Sequence, residues 1–241
     1  MAPAAWSMGE GGRLGIAILD HGPGARARPR SIEQLMWEVS KRTSIHVRER
    51  PEFVSPASPA LFNHPLIIWI GTGDCAPFSQ KERDHLRRYL RSGGTLFVDD
   101  ASSPGDDAFD TCVRREMAAL WPEQPWTTFD NDHTIFRSFY LLQQPEGRIK
   151  RQAFLEGIYF DDRSPVIYSR NDMLGALGRA ELGGWSLPVT PGGPPQRERA
   201  FRLGINLVLY ATCLNYKRDQ VHVTAILRRR RWRIETPKPA P

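Results

Sequence analysis

The chain has 241 residues, 40% hydrophobic and 25% charged, which is ordinary for a soluble protein built around one core. No window approaches the roughly 20 consecutive apolar residues of a membrane-spanning helix. The formal charge of +6 is concentrated in one tail, LRRRRWR at 227–233, and the body is nearly balanced; with Trp232 the only aromatic there, nucleic acid is not an expected partner.

RLGIAILD reads as a strand ending at Asp20, followed by a Gly/Pro/Arg loop. SIEQLMWEVSKRT predicts a helix, with Ser31 and Gln34 as a capping box and Ile32, Leu35, Met36 and Val39 on one face. SIHVRER alternates as an edge strand does. HPLIIWIGTG, a continuous apolar run between Pro65 and Gly71, predicts a central strand buried on both faces. FSQKERDHLRRYLRSGG repeats the helix signals, with Ser79 and Glu82 as a capping box and Gly93 as the stop.

The strand TLFVDD follows, then a helix in DTCVRREMAALW and a less regular stretch containing NDHTIFRSFYLL. PVIYSRND is a further apolar run. Residues 173–197, rich in Gly and Pro, read as a surface loop or lid, and RERAFRLGINLVLYATCL as a helix laid across the sheet. The domain reading is a flexible N-terminus at 1–12, one α/β domain at 13–226 and a basic, proline-containing tail at 227–241. Alternating strands and helices imply a three-layer sandwich around a mainly parallel sheet.

Parallel strands end on one edge, and ligands of open α/β sheets sit there. The expected cleft gathers Asp20; Thr72 and Asp74 of the Gly71-Thr72-Gly73-Asp74 turn; Asp99 and Asp100; and Ser169, Arg170, Asn171 and Asp172. Arg114 and Arg115 on the following helix are the nearest partners for the paired carboxylates, and such a pairing would fix that helix over the strand end. Asp99, Asp100, Asp106, Asp107 and Asp110 are hard oxygen ligands by type, but their spacing lacks the EF-hand pattern, so no metal is assigned. His133, beside Asp132, is the histidine suited to general-base work. His21, His64, His85 and His222 read as loop or surface residues. The GTG turn lacks both dinucleotide and P-loop spacing, and close backbone packing accounts for it. Cys75, Cys112 and Cys213 are widely spaced, without metal-ligand or CxxC pattern, and are expected as reduced thiols; no cofactor is assigned.

Several blocks carry a family resemblance in order: RPRSIEQLMWEVSKRTSI, HPLIIWIGTGDCAPFSQKERDHLRRYLRSGGTLFVDDAS, FDTCVRREMAALWP, DHTIFRSFY, LEGIYFDDRSPVIYSRNDM and RLGINLVLYATCLNYKRDQVHV. From about Arg28 to Val223 the chain resembles the bacterial domain-of-unknown-function family 4159, which resembles class I glutamine amidotransferases and implies a flavodoxin-like sheet. In amidotransferases a nucleophilic cysteine follows the block that here ends in Asp99 and Asp100, so a domain without glutaminase chemistry is implied. It would bind a ligand or partner; the alternative is a metal- or carboxylate-dependent hydrolase using Asp99 or Asp100 with His133. The resemblance also implies proteins of a MoxR-type ATPase and von Willebrand factor A-like system as partners. Thr72 stands where the family favours His between the glycines, and Thr134 where DHP is usual. The chain opens without a basic region leading into an apolar stretch, so the expected location is cytoplasmic, or periplasmic if an export signal was removed.

Overall fold

Four short apolar runs whose residues alternate between two helix-covered faces form the middle of the protein. The computed structural model describes residues 13–22, 24–161 and 163–212. Strands β1 (Ile16–Leu19), β2 (Glu52–Val54), β3 (Leu66–Gly71), β4 (Thr95–Asp100), β5 (Thr127–Thr128), β6 (Glu156–Phe160) and β7 (Arg163–Ser169) form one sheet in the order β2-β1-β3-β4-β7-β6-β5. From β2 to β7 every pairing is parallel. β6 and β5 then add antiparallel to that block. The sheet is therefore mixed, which corrects the expectation of a mainly parallel one. β6 and β5 went unforeseen because β5 is two residues long and β6, EGIYF, has no run long enough to stand out.

Period-two alternation sorts the central strands into two cores. Ile16, Ile18, Ile68, Ile70, Phe97 and Ile167 pack with α1 (Pro29–Arg42) and α4 (Gly193–Thr212). Ala17, Leu19, Ile67, Trp69, Val98 and Tyr168 pack with α2 (Gln80–Arg91) and α3 (Ala108–Leu120). Gly71 ends β3 without a side chain for a reason: a Cβ there would lie 1.9 Å from the Phe109 ring of α3. Backbone packing thus explains the first glycine of the GTG turn.

α2 starts as its sequence predicts: Glu82 accepts the Ser79 amide at 2.7 Å while Ser79 Oγ accepts the Glu82 amide. α1 does not. Its N-cap is Arg28, whose side chain makes no capping bond, and Pro29 opens the helix two residues ahead of Ser31. Gln34 instead lies near Glu38, one turn further on. The expected edge strand around His46 is reduced to an isolated bridge between Leu14 and Val47, and the edge is β2.

The 173–197 stretch also differs from expectation. Met173 to Gly178 are buried and include a short 3-10 helix, Leu174–Ala176, and α4 begins at Gly193; mainly residues between them reach the surface. Among the described residues, no helix is long and apolar enough to cross a membrane. The tail at 227–241, Cys213 and His222 lie outside the described residues.

Candidate functional site

Because β1, β3, β4 and β7 are parallel, their C-terminal ends meet at one edge, with Asp99 opposite Ile70 on one side and Ser169 on the other. Consecutive strand residues point to opposite faces, so Asp99 and Asp100 part company. Both are fully buried.

Asp99 turns toward α1 and α4. Its two carboxylate oxygens accept the amides of Met173 at 2.9 Å and Leu174 at 2.8 Å. Burial, reinforced by the charge of Asp172, pushes its carboxyl up to about 8. Asp172, also fully buried, holds a left-handed backbone conformation (φ +48°) that non-glycine residues adopt uncommonly. Arg28 donates to it in a two-pronged pair at 3.2 and 3.0 Å, Arg148 donates from another direction, and the Gly175 amide donates at 3.0 Å. A Cβ on Gly175 would lie 2.3 Å from the Asp172 carboxylate, so that position must stay bare.

Asp100 turns toward α3. Arg151 donates to it at 2.9 Å and the Ser102 amide at 3.0 Å, and the Arg170 guanidinium lies 3.5 Å away. Arg170 continues the network to Asp107 and Asp110. Asp110 accepts from the Tyr168 hydroxyl at 3.0 Å and from Arg114, which also pairs with Glu156 at 2.9 Å. Burial, then the nearby Asp100 charge, holds the Tyr168 hydroxyl above its usual range.

Arg114 and Arg115 are therefore not the partners of the paired carboxylates. Arg114 lies one helical turn from Asp110 and is engaged there, while Arg115 pairs with Asp74 and with buried Glu116. The arginines that do hold the strand ends are Arg28, Arg148, Arg151 and Arg170. The first three were not singled out in the sequence; basic residues in the ARARPR and GRIKRQ loops were the available signal.

The remaining expected site residues scatter. Asp20 is exposed and pairs with Arg26 at 3.0 Å. Thr72 is half-buried in the β3 turn, and Asp74 is exposed. Ser169 Oγ accepts the Asn171 amide at 3.2 Å. Asn171 is almost fully buried, with its side-chain oxygen accepting the amides of Arg151 and Gln152 and its amide group donating to the Gln152 carbonyl. His133 begins the 3-10 helix Thr134–Phe136, where Nδ1 accepts the Ile135 amide at 3.2 Å and the ring stacks on Phe129 at 3.8 Å. The neighbouring Asp132 carboxylate pairs with Arg137.

Cys75 and Cys112 form a disulfide, with Cα atoms 5.8 Å apart, which corrects the expectation of reduced thiols. Widely separated sequence positions hid it: Cys75 follows β3 and Cys112 lies on α3. Arg115 donates to the Cys75 carbonyl and Glu116 accepts the Phe78 amide, so the same loop is tied to α3 at Cys112, Arg115 and Glu116. With the sulfurs reduced, Asp74, Cys75 and Cys112 would offer metal-ligand atoms within 4.8 Å of one another. Asp106 accepts the Ala108 amide, and Asp107 pairs with Arg170.

A family model described as a domain of unknown function, DUF4159, matches residues 15–212. No functionally curated protein matches the chain.

Proposed function

The chain belongs to the DUF4159 family, and we propose that it is a non-catalytic, amidotransferase-like domain that binds a polar ligand or a protein partner at the C-terminal edge of its sheet. The observation that carries this reading is the bonding of Asp99. At the place where an amidotransferase has its nucleophilic cysteine, both oxygens of a fully buried carboxylate accept backbone amides. A nucleophile needs a free electron pair aimed at the substrate and a base or depressed pKa to expose it. Asp99 has the reverse: burial and Asp172 favour its protonated form.

The flavodoxin-like, three-layer arrangement is part of the same proposal. Its support is the parallel block β2-β1-β3-β4-β7 with a helix-packed core on each face. A MoxR-type ATPase or a von Willebrand factor A-like protein as partner belongs to the proposal as well. The geometry favours binding over a metal- or carboxylate-dependent hydrolase. Arg151 and Arg170 neutralise Asp100, and His133 is stacked on Phe129.

The test pairs turnover with binding. The full chain is assayed with glutamine and with a simple ester, then screened by thermal shift against divalent metals, nucleotides, sugars and amino acids. The expected result is no turnover above buffer and at least one saturable stabilisation; at one hundred times the dissociation constant this amounts to about 2.7 kcal/mol. Hydrolysis that disappears in Asp99→Ala would overturn the reading.

A further inference from the structure

Beside the strand-end carboxylates, the first turn of α1 borders a cavity of about 340 Å³ lined by Arg28, Arg30, Ser31, Gly178, Arg179 and Ser186. A helix N-terminus carries partial positive charge and unsatisfied amides. In α1 no side chain caps that end and no acidic residue occupies the first turn, while Pro29 has no N–H and the Ser31 amide already donates to the Arg28 carbonyl.

Ser31 supplies an independent sign of a ligand. It is 3% exposed, it lines the cavity, and its hydroxyl has no hydrogen-bond partner among the described residues. A Cβ built on Gly178 would lie 2.8 Å from Ser31 Oγ and 2.5 Å from Ser186 Oγ. Both hydroxyls therefore pack close against Gly178, where any side chain would displace them. Buried polar groups are normally bonded, and one left free toward a cavity awaits a partner.

The charge around the cavity is also unbalanced. Arg28 is neutralised by Asp172, and Arg30 pairs with exposed Glu181 at 2.6 Å. Arg179 and Arg197 have no carboxylate partner among the described residues. Arg179 stacks on Trp185 at 3.6 Å and donates to the Gly183 carbonyl; Arg197 lies 4.2 Å over the same ring and donates to the carbonyls of Ala176 and Leu187. Burial, then the Arg179 charge, holds the Arg197 guanidinium below its usual value, as repulsion between like charges requires.

We infer that this cavity binds the phosphate group of a phosphate monoester, received by the first turn of α1, the Ser31 and Ser186 hydroxyls and the Arg179 guanidinium. A tetrahedral oxyanion matches this set of donors, and guanidiniums and helix N-termini are its usual hosts. The organic part of the ester has room next door: a cavity of about 1040 Å³ shares Arg30 and Arg179 and is lined also by Met36, half-exposed Trp37 and His46. The inference rests on the ligand-binding reading above and names the ligand class for it.

Isothermal titration calorimetry of the full chain tests it, using inorganic phosphate and a phosphate monoester (adenosine 5′-monophosphate) against sodium chloride at matched ionic strength. Saturable phosphate binding is expected, tighter for the monoester. Arg179→Gln, an exposed position, should weaken it about tenfold, as loss of one charge-assisted contact does. Ser31→Ala should weaken it severalfold, and Arg88→Gln, an exposed arginine on α2, should leave it unchanged. Circular dichroism confirms that each variant is folded. The inference is overturned if phosphate gives no saturable signal, if Arg179→Gln binds as tightly as wild type, or if Arg88→Gln loses as much. If phosphate fails while another compound in the thermal-shift screen binds, this inference alone falls and the binding reading stands; if no compound binds, the inference and the ligand half of that reading both fall.

Discussion

Asp99 and Asp172 cap the same short turn: Asp99 accepts the amides of Met173 and Leu174, and Asp172 accepts that of Gly175. Two carboxylates from different parts of the chain thereby hold the backbone where it leaves β7.

Burial of Asp99, reinforced by the charge of Asp172, makes stability pH-dependent. The folded Asp99 carboxyl is raised to about 8 from an ordinary value near 3.8, so the folded state holds a proton that the unfolded state has released between those values. Its contribution is fully present below about pH 4 and is lost as pH rises toward 8. Asp99→Asn removes the titration but turns an NH₂ toward one backbone amide, costing about 1–3 kcal/mol. Urea midpoints at pH 5 and pH 8 should therefore differ more in wild type than in Asp99→Asn, with the variant less stable at pH 5. An equal pH dependence in both would refute the assignment.

Asp100 is the counter-ion of Arg151 and a neighbour of Arg170, both mostly buried. Removing it leaves the mostly buried Arg151 without a carboxylate, while Arg170 keeps Asp107 and Asp110; breaking a buried pair in this way typically costs about 3–5 kcal/mol. Asp100→Ala should lose stability in that range by urea denaturation. Coupling should be large: in Arg151→Met, Asp100→Ala should cost visibly less than in wild type. Additive effects would count against a direct pair.

The Cys75–Cys112 bond closes a loop of sequence separation 37, which in the chain-entropy account contributes roughly 4 kcal/mol. Reduction, or Cys112→Ser, should lower the denaturation midpoint accordingly. Thiol titration of the denatured, oxidised chain should find one free cysteine of the three, Cys213, and all three after reduction. Three free thiols before reduction, in protein purified without reductant, would show that the bond does not form.

Asn171 uses both ends of its amide, accepting two backbone N–H groups and donating to carbonyls. Asn171→Asp presents a carboxylate oxygen to the Gln152 carbonyl that its amide group now serves. A loss of about 2–3 kcal/mol at neutral pH is expected. Stability should recover as pH falls and the new carboxyl gains a proton to donate. A variant equally unstable at pH 4 and pH 7 would refute this account.

The two serines that precede helices show how far local sequence reaches. Ser79 and Glu82 form the capping box that their spacing predicts, because the bond closes within three residues and needs nothing else. Ser31 and Gln34 have a matching pattern and do not form one. Arg28 pairs with Asp172 just beyond β7, Pro29 is preset for a first helical position, and the helix begins two residues early.

The carboxylate partners follow similar logic. Proximity suggested Arg114 and Arg115 for the paired carboxylates, yet Asp110, one turn away on the same helix, captures Arg114, and Asp74 and Glu116 engage Arg115. Arg151 reaches Asp100 only because the chain returns through an irregular stretch whose path has no periodicity to read.

The sequence by itself determined the alternation of buried strands with amphipathic helices, the start of α2, and the placing of Asp99, Asp100 and Ser169 at one sheet edge, since each depends on spacing within one element or on the direction shared by parallel strands. Only the tertiary structure decided the antiparallel strands β6 and β5, the disulfide, the burial of 173–178 and the separation of Asp99 from Asp100 into two arginine-held clusters. Those features depend on which distant groups meet, and the desolvation of buried charge makes that meeting, rather than local preference, the larger energy.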